Sequence, residues 1–227
     1  RQEAQISVLA HSLHYGDGIF EGIKIYRCID GRSAIFRLGS HVHRLFFSAL
    51  VEGIKIPFTK MEIEQAIIDT VKFNNLQEGY IRPLVIYGEG DMGPCPHNNP
   101  VHVIIIIGEW EQYFAKKAIS VKISKWRRDN RVMPYSAKVT GNYVNAGLAK
   151  REAEALGFDD AIVLDRWGNI SEASAANIFI VKDSNLITPI AMQSLSSITL
   201  DPPILKGITR NSLIRLARDI GISVEET

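Results

Sequence analysis

Disulfide chemistry has little to work with in this chain, where cysteine occurs only at Cys28 and Cys95 and never within a C-x-x-C pair. That argues against a disulfide framework or a zinc site and fits a reducing compartment, so the expectation is cytoplasmic, with no metal. Charge of one sign is equally scarce. Twenty-six Lys and Arg stand against 25 Asp and Glu, a formal net charge of +1, and no basic stripe interleaved with aromatics stands out, which argues against a nucleic-acid partner. Long apolar runs are missing too. VHVIIIIG from Val101 is far short of the roughly 20 residues a membrane span needs and fits a buried strand. Repeats and low-complexity tracts are absent. The start, RQEAQ, is neither an initiator methionine nor the lead-in to a signal core, so an end is expected to be missing.

What is there is a globular composition, 46% hydrophobic and 22% charged over 227 residues, enough for one large core or two modest ones. In the first hundred residues the runs ISVLAHSL, GIKIYRCI, AIFRL, YIRPLVIYG and VHVIIIIG read as strands, and HVHRLFFSALVEG and KMEIEQAIIDTVKFNN as helices. The mixture predicts an α+β fold with an antiparallel sheet carrying helices on one side. The polar and aromatic stretch GEWEQYFAKKA reads as a linker, giving a small α+β domain at 1–107, a linker at 108–118 and a large domain at 119–227. In the latter, ISVKISKW reads as a strand and NYVNAGLAKREAEALG as a helix stopped at Gly157. DDAIVLDRWGNISEASAANIFIVKDSNLITP reads as four strands joined by turns and a loop. GITRNSLIRLARDIGI reads as a helix opening at Thr209, after which another strand begins.

Three stretches could carry chemistry. In MPYSAKVTGNY, Lys138 has small or apolar neighbours, the setting in which a partly desolvated amine becomes a nucleophile; the plain alternative is a strand-end lysine reaching water. GITR puts Gly207 before a helix whose first amides belong to Ile208 and Thr209, an anion seat, although many such helices bind nothing. ISEASAANIFIV sets Glu172 before small residues that let a flat group approach, where a carboxylate needs a cation or donor; the alternative is a cap or an exposed turn. The glycines of YGDGIFEG have the wrong spacing for a dinucleotide loop and lead into a strand. A reactive lysine, an anion seat and a carboxylate together match the needs of pyridoxal phosphate: a partner for its aldehyde, a cradle for its phosphate and a counter-charge for its ring nitrogen.

HYGDGIFEGIKIY, YIRPL, SAKVTGNY, ISEASAANIF and GITR, in this order, resemble the class IV pyridoxal-phosphate aminotransferases, and among them the branched-chain amino-acid aminotransferases, over essentially the whole chain. The resemblance implies the two-lobe architecture of fold type IV, as in D-amino-acid aminotransferases, and homodimers or larger assemblies. It implies ping-pong transamination of leucine, isoleucine or valine with 2-oxoglutarate. Residue by residue, it makes Lys138 the lysine that bonds the cofactor aldehyde and moves the substrate proton. Tyr143 then meets the ring's phenolic oxygen, Glu172 the ring nitrogen, and Ile208, Thr209 and Arg44 the phosphate. Phe20, Gly22, Lys24, Tyr80, Arg82, Trp110 and Tyr113 line the substrate pocket, while Tyr15 and the Met92 loop reach into the neighbouring subunit's site.

The chain departs from that pattern in three places. Lys24 stands where the branched-chain group often has arginine. AMQSLSSITLDPP, within 190–206, reads as an insertion. The family's C-terminal segment, with a Gly-Thr loop for the substrate carboxylate, is not seen, so the second lobe is expected to lack its C-terminal part. Two rivals follow: a D-amino-acid or (R)-amine transaminase of the same class, and a truncated, non-catalytic relative serving as a binding or assembly module.

Overall fold

The computed structural model describes residues 4–109, 118–196 and 202–227 and divides into two compact units. The linker expected at 108–118 falls almost wholly outside the described residues, as does the middle of the expected insertion.

The first unit holds residues up to 109 together with Lys138–Gly141. Its elements are α1 (His11–Tyr15), β1 (Ile19–Phe20), β2 (Ile23–Arg27), β3 (Ser33–Ile35), α2 (Leu38–Glu52), α3 (Lys60–Phe73), β4 (Gly79–Tyr87) and β5 (Val101–Gly108). The sheet is antiparallel throughout, with β4 pairing β1 and β2 along one edge and β5 along the other. Along β4 the odd-numbered residues are buried and the even-numbered ones half-buried, the period-2 signature of a strand with two unlike faces. Ile81 and Val85 enter a core with Ile19, Ile23, Val42, Leu45 and Ile67. Tyr80 and Arg82 face the other way.

Helix ends follow local chemistry. Thr59 accepts from the Glu62 amide, and the Glu62 carboxylate accepts from the Thr59 amide, a capping box that opens α3. One expectation fails at the N-terminus. ISVLAHSL is not a strand: the Ala10 amide donates to Ser7 O, the Leu9 amide to Ser7 Oγ, and the chain turns directly into α1. Local side-chain hydrogen bonding wins there over alternating hydrophobicity. Similarly, only the start of AIFRL is strand, since Leu38 already begins α2.

The second unit holds β6 (Val121–Arg128), α4 (Asn142–Ala155), β7 (Asp160–Asp165), β8 (Ile170–Ala173), β9 (Ile180–Lys182), β10 (Asn185–Thr188), α5 (Ile208–Asp219) and β11 (Val224–Glu226). Two three-stranded sheets form, β6-β7-β8 and β11-β10-β9, each with one parallel and one antiparallel pairing. Ala149 and Ala153 of α4 pack on Ala161 and Val163 of β7 beside Trp126, small side chains that let helix and sheet approach closely. α5 opens at Ile208, one residue before the expected Thr209, with Gly207 as its cap.

Lys138–Gly141 lies in sequence between segments of the second unit yet belongs to the first. It runs antiparallel beside β1: the Phe20 amide donates to Lys138 O at 3.2 Å, the Thr140 amide to Gly18 O at 2.7 Å, and Ile19 pairs with Val139.

Candidate active site

Register explains the first group. Phe20 pairs with Leu84, and Lys24 with Tyr80, which puts Phe20, Lys24, Tyr80 and Arg82 on the half-buried face of the sheet. A Cβ at Gly22 would run into the Tyr80 hydroxyl, so glycine is what lets that ring lie flat across the strand. Lys138, held against β1 and with its amide donating to Ser48 Oγ at 2.9 Å, brings its amine over the Phe20 ring, 4.5 Å from the centroid. The Arg82 guanidinium is 4.7 Å from the same ring and 5.4 Å from that of Tyr80, with Nη2 donating to the Tyr80 hydroxyl at 3.2 Å; the Lys24 amine is 5.9 Å from the Tyr80 ring. Three cations thus share two aromatic faces, a wall with positive charge for a carboxylate and ring surface for an apolar side chain.

Behind this wall, Glu21 points into the core. It is fully buried and meets Arg44 twice, Nε donating to Oε1 at 2.7 Å and Nη2 to Oε2 at 2.8 Å, while His41 Nδ1 lies 2.7 Å from Oε2. Burial pushes the Glu21 carboxyl up, but the Arg44 charge and hydrogen bonds, with those of His41, outweigh it and bring it down to about 2. Arg44, expected at a phosphate, therefore commits two of its nitrogens to Glu21. Tyr15 is half-exposed, its hydroxyl donating to Met92 O at 2.6 Å.

The remaining expected residues, Tyr143, Glu172, Ile208 and Thr209, lie in the second unit. Glu172, one residue before the end of β8, is buried, and the cation a carboxylate needs there is Arg128, whose Nη1 donates to Oε2 and whose Nη2 donates to Ser174 O. Oε1 accepts from Asn177 Nδ2 at 2.7 Å and from the Leu205 amide at 3.1 Å. Asn177 also fixes the start of α5: a Cβ at Gly207 would run into its Oδ1. Ile208 is buried in the first turn, Thr209 exposed and Tyr143 half-buried. Trp110 and Tyr113 lie outside the described residues. Three contributors were not singled out in the sequence. Glu21 and Asn177 sit inside quoted motifs, and a carboxylate between Phe20 and Gly22 was a usable signal; Arg128, in WRRDN, reads as ordinary surface charge.

This donor set fits pyridoxal phosphate. Among the described residues, Ser174 Oγ and Arg128 Nε beside Glu172, and Ser136 Oγ and Asn142 Oδ1 flanking the lysine segment, are buried and meet no hydrogen-bond partner, and a buried polar atom in that condition is one a ligand can satisfy. Helix α5 opens at Gly207 without a side-chain cap, and its positive end suits a phosphate.

Comparison with known proteins agrees. The amino-transferase class IV family model matches residues 18–227, and the chain belongs to that family. Its relatives include the branched-chain-amino-acid aminotransferase of Pseudomonas aeruginosa, 39% identical over 99% of this chain and 71% of that protein. Among solved structures, the Escherichia coli branched-chain amino acid aminotransferase superposes with a TM-score of 0.91 at 35% identity, covering 100% of this chain and 73% of the other. The T.th. branched-chain amino acid aminotransferase complexed with N-(5'-phosphopyridoxyl)-L-glutamate gives 0.88 at 41% identity, covering 99% and 71%.

Proposed function

We propose that this protein is a pyridoxal-phosphate-dependent aminotransferase that moves the amino group of leucine, isoleucine or valine to 2-oxoglutarate. The observation that carries the reading is the Lys138 amine over Phe20, on a face shared with Arg82, Tyr80 and Lys24. The class IV family and the branched-chain relatives support it.

When bound, the cofactor supplies an aldehyde for the amino group and a ring that takes up the electrons released at the substrate α-carbon. Lys138 would hold the cofactor through its aldehyde, and its amine would take up and return the proton of the substrate α-carbon. Glu172, held by Arg128 and Asn177, would face the ring nitrogen and favour its protonated form. Tyr143 donates to the phenolic oxygen. Ile208, Thr209 and Arg44 hold the phosphate. Arg82 and Lys24 receive a carboxylate, while Phe20, Gly22 and Tyr80, with Trp110 and Tyr113, bound the side-chain pocket. Tyr15 and Met92 serve the partner subunit's pocket in a homodimer or larger assembly.

Among the described residues no helix is long and apolar enough to cross a membrane, and both cysteines are free; we place the protein in the cytoplasm. The small and large domains of the two-lobe fold are read as 1–107 and 119–227, with Lys138–Gly141 given to the small one.

The test is the visible spectrum of the protein with pyridoxal phosphate, before and after L-leucine. A lysine-bound band that converts to the pyridoxamine form is expected in the wild type, and none in Lys138→Ala. Conversion by D-leucine alone would move the activity to a D-amino-acid transaminase, and full turnover by Lys138→Ala would refute the lysine's role.

A further inference from the structure

His11 is fully buried, although both of its ring nitrogens are engaged in polar contacts. Nδ1 lies 2.7 Å from Asp17 Oδ2 and Nε2 lies 2.6 Å from Gly93 O. A carbonyl has only lone pairs to offer, so Nε2 carries the hydrogen in the second contact. The pair is anchored to β4: Asp17 accepts from Ser12 Oγ, Ser12 Oγ accepts from the Tyr87 amide at 2.9 Å, and the His11 amide donates to Gly88 O at 3.1 Å. The ring stacks on Tyr15 at 4.4 Å and 24°, and the Tyr15 hydroxyl reaches Met92 O, next to Gly93. One buried ring therefore contacts both Tyr15 and the loop that carries Met92, whose side chains are 47% and 45% exposed.

We infer that His11 is a positioning residue for substrate recognition: it holds Tyr15 and Met92–Gly93 as one rigid edge, with Asp17 setting the ring's orientation. The inference rests on the reading above, in which that edge lines a pocket for a branched side chain. A buried hydrogen bond to an otherwise exposed loop restricts the loop's freedom before substrate arrives, which improves binding without touching the chemical step.

Three variants test it. His11→Phe keeps the stacking surface and loses both polar contacts; His11→Gln places its amide near Nε2, and His11→Asn near Nδ1. The expected result is a KM for L-leucine about tenfold higher in the Phe and Asn variants, largely restored in Gln, with kcat within about twofold and the cofactor spectrum unchanged. Amide hydrogen exchange over 90–96 should quicken in Phe and Asn but not in Gln. An unaltered KM in His11→Phe, equal behaviour of Asn and Gln, or a joint fall of kcat, cofactor binding and melting temperature in all three overturns it. A wild-type protein that binds cofactor but ignores L-leucine defeats the functional reading instead, and is recognised because exchange over 90–96 still separates Gln from Asn.

Discussion

Each unit buries a glutamate against an arginine, and the two are surrounded differently. Glu21 meets Arg44 across both of its oxygens, with His41 Nδ1 at one of them. Glu172 meets Arg128 at one oxygen, and its other oxygen is served by the neutral donors Asn177 and Leu205 N. A carboxylate gripped at both oxygens by one guanidinium, with an imidazole beside it, is tied to the core of its own unit. One met by a guanidinium at one oxygen and by uncharged donors at the other is the carboxylate proposed above for the ring nitrogen. Two buried glutamates thus differ in the donors that surround them.

The sharpest break of this comparison is Glu172→Gln, which keeps the shape but removes the charge and turns one of two accepting oxygens into a donor. Turnover should fall by about 100-fold or more with the fold retained, measured as steady-state transamination alongside circular dichroism. Glu21→Leu should act first on the fold, leaving Arg44 buried without its carboxylate and lowering stability by about 3–5 kcal/mol in urea titration. A milder probe is acid. Because the folded Glu21 carboxyl lies at about 2, below its ordinary value of 4.5, its contribution is complete above 4.5 and lost as pH falls through 2. Wild type should exceed Glu21→Gln by about 3 kcal/mol more at pH 6 than near pH 2.

A third carboxylate gives the smallest effect. Glu52 meets no ion-pair partner among the described residues, and burial, with Asp17 nearby, pushes its carboxyl up to about 7. A raised carboxyl costs stability as pH rises from 4.5 through 7, so Glu52→Gln should stabilise the protein at pH 8 by about 1–2 kcal/mol, after allowance for solvent access, and leave it unchanged at pH 4.5. Thermal unfolding at the two pH values decides it.

The sequence disclosed what depends on near neighbours. The helix of α3 and the strand of β4 are patterns of a few residues, and so were legible. Lys138, Glu172 and the α5 start drew the eye as candidates, since each is odd in its own surroundings. What stayed hidden is long-range. Arg128 looks like any surface charge until β7 pairs with β6 on one side and β8 on the other, bringing it to Glu172, 44 positions away in sequence. The assignment of Lys138–Gly141 to the first unit had no local trace, because its neighbours in sequence belong to the second. ISVLAHSL misled in the opposite sense, its alternation being genuine and its Ser7 turn stronger.

That four-residue segment, Lys138–Gly141, also sets a schedule for folding. Lys138 reaches back 90 positions to Ser48, and Thr140 reaches back 124 to Gly16, so β1 gains its outer neighbour only through a very long loop closure. On the ribosome, the first unit is not finished when its first hundred residues have emerged; it waits for the chain beyond residue 141. A fragment ending at 109 would carry β1 as an uncovered edge, inviting pairing with other chains. In effect, the stitch that carries the Lys138 amine to the Phe20 ring also closes the sheet, so the unit reaches completeness only when that lysine is in place.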